Sequence, residues 1–264
     1  MNKEKLESKD LVILLDKDYI VDIDYKNESV NLPEDLKVRI KDNWEEYGSR
    51  FTNGDIFFIK DYDVDKEKRK VKLDVCNSKY DHYLYTRYHD EYDEYSCVNL
   101  WSGAVIETVD GKLVLGRMSD ETVSEGELHI SGGSTDRDDL IDNKIDYYKT
   151  MKRELYEEVG LELDDKNIIK DFYLKYLKVP SVIEEELSFG VLYKIDLNIS
   201  FEEFNNEFEI YKKYLGDNGL EVEFTGLYGI DKTKESVISA AEKFPNKIPK
   251  YIIQMFLKEI ESKN

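Results

Sequence analysis

The sequence predicts an α+β fold, a sheet of mixed direction between layers of helices, with a small α+β extension at the N-terminal end. Strand-like and helix-like runs are interspersed without strict βαβ alternation, the pattern of a mixed sheet. Asp110-Gly111, the strongest short turn signal in the chain, lies between two apolar runs and marks an antiparallel hairpin. Period-3.6 patterns fit one segment after Pro33 and several more beyond residue 142.

In chain order, the apolar runs 11–15 and 19–23 flank Asp-Lys-Asp and predict a hairpin. Pro33 suits the first turn of a helix running to Tyr47. Asn53-Gly54 signals a turn, followed by a strand over 55–59 whose expected partner is 71–75. The Tyr-rich stretch 80–95 follows neither period. Its aromatics are expected to pack the two halves together, or alternatively to stack a nucleobase or sugar. A new pattern begins near Cys97, so residues 1–96 read as the extension and 97–264 as the main domain. Strands are expected at 101–108 and 112–117, with a third over 127–130 ending at Ser131-Gly132-Gly133. An acidic loop then leads to a helix over 143–159. Strands over 168–179, 187–196 and 220–230 and helices over 200–215, 236–244 and 249–260 complete the pattern. The last helix places Ile252, Ile253, Phe256 and Ile260 near one side, for core packing or, second, for a homodimer.

Composition narrows the function. The 264 residues carry 38 Lys plus Arg against 58 Asp plus Glu, a net charge of −20. Such a surface repels the phosphates of a nucleic acid polymer. A small anionic substrate is compatible only if a local cation neutralises it. No apolar run reaches membrane-span length, and the charged start, residues 1–10, is not a secretory signal. Two cysteines, Cys76 and Cys97, fit a reduced, cytoplasmic protein. The three His are scattered and show no zinc-ligand spacing.

Chemistry concentrates in Arg153-Glu154-Leu155-Tyr156-Glu157-Glu158-Val159-Gly160-Leu161. As a helix, Tyr148, Met151, Leu155 and Val159 share one arc, the expected buried face. Glu154, Glu157 and Glu158 share the arc beside it at i, i+3 and i+4, so three like charges crowd one patch. Gly160 is placed to end the helix. Arg153 lies one turn before Glu157 and can pair with it. Glu154 and Glu158 have no Lys or Arg three or four positions away. One cation cannot balance three acids, and carboxylate oxygens are ligands that Mg²⁺ or Mn²⁺ prefers. A solvated acidic face is the plain reading of any Glu-Glu pair. The full ordered run, by contrast, is expected by chance in roughly one chain in 10⁴ of this composition.

Residues 153–161 resemble the core of the Nudix box, G-x5-E-x7-R-E-U-x-E-E-x-G-U with U a bulky apolar residue, and match all of its last nine positions. The strand and loop 128–133 are similar to the segment that precedes the box, with Ser131 where Pro is common. The layout likeness runs from about residue 99 to 230. One departure stands out. The motif places 13 residues between its Gly and its Arg, whereas 19 separate Gly133 from Arg153, a six-residue insertion within 134–143. Counting back from Arg153 puts Ile145 at the motif's first Glu and Asp139 at its Gly; Asp142 and Asp146 are the nearest acids.

The resemblance implies a Mg²⁺- or Mn²⁺-dependent hydrolase of a nucleoside diphosphate linked to another moiety. Glu154, Glu157, Glu158 and the Gly132 carbonyl would be metal ligands. Arg153 would orient a Glu, and Gly133 would let the loop approach substrate closely. The base would be a Glu of the box or one from the later loop 184–186, with Glu185 foremost. Phe51-Thr52-Asn53-Gly54-Asp55-Ile56-Phe57 and Thr86-Arg87-Tyr88 are similar to the leader of the UDP-sugar-splitting branch. They rank a nucleotide sugar first and ADP-ribose second. The rival reading is a non-catalytic nucleotide sensor on the same fold; a third is a structural domain with a solvated acidic helix.

Overall fold

The structure, a computed structural model, describes residues 1, 3–89, 93, 95–120, 122 and 124–262, with backbone alone at 3, 4 and 50. In chain order the elements are α1 (Lys3–Leu6), β1 (Val12–Leu14), β2 (Ile20–Ser29), α2 (Glu34–Tyr47), β3 (Asp55–Asp65), β4 (Lys70–Lys79), α3 (Tyr80–Tyr88), β5 (Asn99–Glu107), β6 (Lys112–Met118), β7 (Leu128–His129), β8 (Ser131–Ser134), β9 (Leu140–Ile141), β10 (Lys144–Ile145), α4 (Tyr147–Val159), β11 (Ile169–Lys178), β12 (Ser188–Leu197), α5 (Phe201–Asp217), β13 (Phe224–Asp231), α6 (Lys234–Lys243) and α7 (Lys250–Glu261). Strands of both directions combined with helices give the α+β class expected. The chain forms two compact units. One comprises Met1–Ser102, Ser134–Thr150 and Leu177–Val191; the other comprises Gly103–Gly133, Met151–Tyr176 and Leu192–Asn264.

In the first unit β3, β4 and β2 lie side by side in that order, and the start of β5 pairs with β3 at Phe58↔Asn99. β3 and β4 pair antiparallel from Asp55↔Lys79 to Asp65↔Lys70, with a bulge between Ile59 and Asp61. The expected pairing of 55–59 with 71–75 lies inside this ladder. The hairpin expected from 11–15 and 19–23 does not form. β1 lies against β11, where Val179 N–H donates to the Leu11 carbonyl at 2.9 Å, while β2 runs parallel to β4. The Asp-Lys-Asp turn carries no Gly to favour a tight reversal, and non-local partners take both strands.

α2 buries Leu36, Ile40 and Asn43, with Pro33 at its N-cap. α3 occupies residues that follow neither period in sequence. Asn53 holds its start, donating from Nδ2 to Asp81 at 2.8 Å and accepting from the Asp81 amide at 2.9 Å. Its aromatics pair within this unit: Tyr47–Tyr88, Phe51–Tyr80 and Tyr85–His89 have ring centroids 5.2, 5.9 and 4.0 Å apart. The remainder of the Tyr-rich stretch, residues 90–92 and 94, lies outside the described residues. Cys76 and Cys97 are free thiols in a buried cluster with Ile56 and Phe58.

The six-residue insertion is an ordered element of this unit. β9 and β10 pair antiparallel, Ile141↔Lys144 and Leu140↔Ile145. Asp142 and Asn143 between them have φ of 49° and 63°, as a two-residue primed turn demands. The helix expected from 143 therefore starts at Tyr147, where Asp146 accepts from the amides of Tyr148 (3.0 Å) and Lys149 (3.1 Å).

In the second unit, β6 and β13 pair antiparallel from Lys112↔Asp231 to Met118↔Phe224, and β6 also pairs with β5 and β7. The Asp110-Gly111 turn is where sequence placed it. α5 opens with a Ser200/Glu203 capping box and buries Phe204, Phe208 and Leu215. α7 buries Tyr251, Ile252, Met255, Phe256 and Glu259. Its inner face is thus rotated from the expected one, and Ile253 and Ile260 are only half-buried. The rotation brings Glu259 inside, where it meets Lys175 (2.6 Å), Lys232 (2.7 Å) and the Tyr176 hydroxyl (2.8 Å). Lys232 continues to Glu107 at 2.5 Å, and Glu107 to Lys194 at 2.6 Å. Among the described residues no helix is long and apolar enough to cross a membrane.

Candidate active site

The acidic segment lies on the second half of α4. Met151, Leu155 and Val159 face the core, as their spacing requires. Gly160 ends the helix at φ +68°, its N–H donating to the Tyr156 carbonyl at 3.0 Å, a left-handed cap that costs a Cβ-bearing residue strain.

The three carboxylates do not share one environment. Glu154 and Glu158 are 7% and 3% exposed, while Glu157 stands on the solvent side. Arg153 Nη1 donates to Glu157 at 3.1 Å, the pair expected from spacing. It also donates to Glu154 at 2.7 Å. Adjacent helix positions do not face each other, so spacing alone leaves Glu154 without a cation. The long guanidinium stem reaches across nonetheless.

β8 supplies the opposite wall. Gly132 N–H donates to Glu158 Oε2 at 2.9 Å. A Cβ at Gly133 would lie 2.4 Å from Glu154 Oε1, so only Gly lets the strand come this close to the carboxylate. β8 in turn pairs with β5. The Gly pair and the i, i+4 Glu pair thus form one contact, with the strand backbone laid against two buried acids.

A fourth carboxylate, Glu223, joins them from the segment just before β13. Its carbonyl accepts from Ser119 N–H at 2.7 Å. Burial pushes the Glu223 carboxyl up to about 6, with Glu221 and Glu157 adding to the rise. Burial likewise raises Glu154 to about 8, partly opposed by Arg153 and reinforced by Glu223 and Glu157. Glu158 is raised by burial, by Glu154 and by Glu223. Sequence offered no signal for Glu223 beyond its place in an expected strand, because its proximity comes from tertiary folding.

The donor set suits a hard divalent cation. Two buried carboxylates and a closely apposed backbone are oxygen-rich, and the repulsion among Glu154, Glu158 and Glu223 has Arg153 as its counter-charge. Among the described residues no three His, Cys, Asp or Glu side chains converge on one point, so backbone oxygen, water or substrate oxygen would have to complete the coordination.

Glu185 lies in the other unit. It sits in the turn closed by the Ser181–Glu186 bridge, at φ 58° and exposed. That turn is held by Lys178, a fully buried lysine donating to the carbonyls of Glu186 and Ser188, both at 2.9 Å. Asp142 is taken up by the β9–β10 turn and Asp146 by the helix cap, so both acids nearest the motif's first Glu have local structural roles. Of the residues similar to the UDP-sugar leader, Asn53 caps α3 and Thr86 accepts from Cys97 N–H at 2.8 Å.

No protein-family model and no curated protein matches the sequence. Several solved structures are similar to it in part. Tm1382, described as a putative Nudix hydrolase, is 13% identical over 84% of this chain and 95% of its own, with a TM-score of 0.42. DR0079 from Deinococcus radiodurans is 13% identical over 60% and 81%, with a TM-score of 0.39. The NUDIX domain of Shewanella oneidensis NrtR, solved with ADP ribose, is 13% identical over 62% and 88%, with a TM-score of 0.33. Likeness at this level carries nothing about activity.

Proposed function

We propose that the chain is a Mg²⁺- or Mn²⁺-dependent hydrolase of the Nudix type. Its substrate would be a nucleoside diphosphate linked to another moiety, a nucleotide sugar first and ADP-ribose second. The reading takes 97–264 as the hydrolase domain and 1–96 as its extension. The observation that carries it is the contact between the Gly pair and the box helix: Gly132 N–H on Glu158, and Gly133 stripped of a side chain beneath Glu154. A solvated acidic face would need neither burial of two acids nor a Gly opposite them.

In this reading Glu154, Glu158 and the Gly132 carbonyl, with Glu157 at the solvent edge, would hold one or more metal ions between them; when bound, the metal would supply charge neutralisation for the diphosphate and acidity to a water. Arg153 orients Glu154 and Glu157 together. Gly132 N–H fixes Glu158, and Gly133 gives substrate room. Glu223 is our first choice for the residue that takes the proton from the attacking water, and Glu185 the second. The acidic surface keeps polymeric nucleic acid away while a small diphosphate, charge-matched by the ion, enters.

Screening diphosphate compounds with Mg²⁺ and weighing the products tests this directly. A nucleoside monophosphate plus a second phosphorylated product is expected. Ligand binding without any released product would instead mean a sensor. The Glu157→Gln, Glu158→Gln double variant should keep its fold and lose turnover; full activity in it would reject the mechanism. Glu223→Gln against Glu185→Gln then separates the two candidate bases.

A further inference from the structure

A cavity of about 1030 Å³ opens between α2 and α3 in the first unit, at the upper end of ligand-pocket sizes. One group in its wall is out of place for a protein interior. α2 presents Leu36, Ile40 and Asn43 on its buried face, a spacing that an apolar residue at 43 would complete. Asn43 is only 6% exposed, and its Oδ1 is buried with no hydrogen-bond partner. Buried amides nearly always find a partner, and leaving one unmade is costly.

The other buried polar groups here are already engaged. His82 has Ser78 Oγ at 2.8 Å on one ring nitrogen and the Tyr95 carbonyl at 2.7 Å on the other. Thr86 accepts from Cys97 N–H. Asn43 is therefore the lining amide whose oxygen is left without a partner among the described residues, and turning the amide about its side-chain bond would present that oxygen to the cavity. Around it stand the aromatic pairs Tyr47–Tyr88 and Tyr85–His89, and Tyr47 and Tyr88 remain 47% and 43% exposed.

We propose that this cavity binds an uncharged nucleobase or nucleoside, recognised by Asn43 and stacked among the tyrosines. The amide offers an acceptor and a donor in a single plane, which matches the edge of a nitrogen heterocycle and finds nothing on a lipid chain. Planar rings suit aromatic walls. Asp42, Glu46 and Asp93 line the cavity against Arg39, itself paired with Asp35 at 3.4 Å, and on balance oppose a phosphate group. The site lies wholly on first-unit residues and does not depend on the α4 carboxylates.

Titration calorimetry on the full chain, with adenosine, guanosine, cytidine and uridine in turn and AMP as the charged comparison, tests it. At least one nucleoside should bind saturably, and its monophosphate should bind about tenfold more weakly. Asn43→Leu and Tyr85→Leu should each weaken the nucleoside by about tenfold, while Glu158→Gln leaves it unchanged. Asn43→Asp, nearly isosteric, carries the test if Asn43→Leu melts early. Absence of saturable binding by all four nucleosides would overturn the proposal. So would AMP binding as tightly as adenosine, or loss of binding in Glu158→Gln with Asn43→Leu unaffected.

Discussion

At the scale of single residues, the acidic run of α4 divides by burial. Glu157 is a solvent-side ion-pair partner, whereas Glu154 and Glu158 are held inside against their charge. Two acids raised by burial in one patch cost the metal-free fold stability, because each must either hold a buried charge or take up a proton, and a bound cation offsets that cost. Saturating Mg²⁺ at 100 times its Kd should therefore stabilise the protein by about 2.7 kcal/mol, read as a higher melting temperature. Glu158→Gln removes one of these ionisable groups in nearly the same volume. Without metal it should melt higher than the native chain, gain little from Mg²⁺, and lose about 100-fold or more in turnover. A Glu158→Gln protein that melts lower and still responds fully to Mg²⁺ would contradict this. Gly133→Ala drives a methyl into Glu154, and displacing a site group by about 1 Å costs on the order of 100-fold in rate. Helical spacing put three acids on neighbouring arcs, of which the structure buries Glu154 and Glu158 and leaves Glu157 on the solvent side. Sequence did not reveal which arc would be covered by β8, nor that Glu223 would arrive from before β13, since both depend on contacts distant along the chain.

At the scale of elements, local chemistry was readable and long-range pairing was not. The Asp110-Gly111 hairpin, the Ser200 start of α5 and the Gly160 stop follow from residues a few positions apart. The parallel partner of β2 and the rotated inner face of α7 do not. The β9–β10 hairpin escaped notice because Asp142-Asn143 lacks the Gly that usually announces a primed turn. Its two positive φ values are costly for branched side chains. Asn143→Val should lower stability by about 1–2 kcal/mol in chemical denaturation, while Asn143→Gly should hold or raise it. Asp146→Ala removes the acceptor for two amides of α4 and should cost about 1 kcal/mol. Equal stability of both variants to the native chain would mean that the insertion and the cap are incidental to the helix.

At the scale of the whole molecule, charge sets the behaviour. A net charge of −20 means self-repulsion, so moderate NaCl should raise the melting temperature by screening it. Inside the second unit the opposite sign prevails locally around Glu259. Burial alone would raise its carboxyl, but bonds from Lys175, Lys232 and Tyr176 more than reverse this and hold it at about 2. A carboxyl lowered on folding stabilises the fold above its ordinary range and loses that contribution as pH falls towards 2. Glu259→Gln takes this counter-charge from Lys175, leaves Lys232 with Glu107, and should cost about 3–5 kcal/mol at neutral pH. The gap from the native chain should narrow in denaturation at pH 3; a gap constant with pH would reject the network as an acid-sensitive tie.

The two cysteines of the chain make a gauge of opening for one half of the molecule. Both sit at 0% exposure in the first unit, and burial pushes the Cys76 thiol up to about 11 and raises Cys97 as well. Neither offers a thiolate to an alkylating dye while that half stays shut. Iodoacetamide uptake followed by mass will therefore time the breathing of this half alone, with the other half contributing no sulfhydryl to the signal.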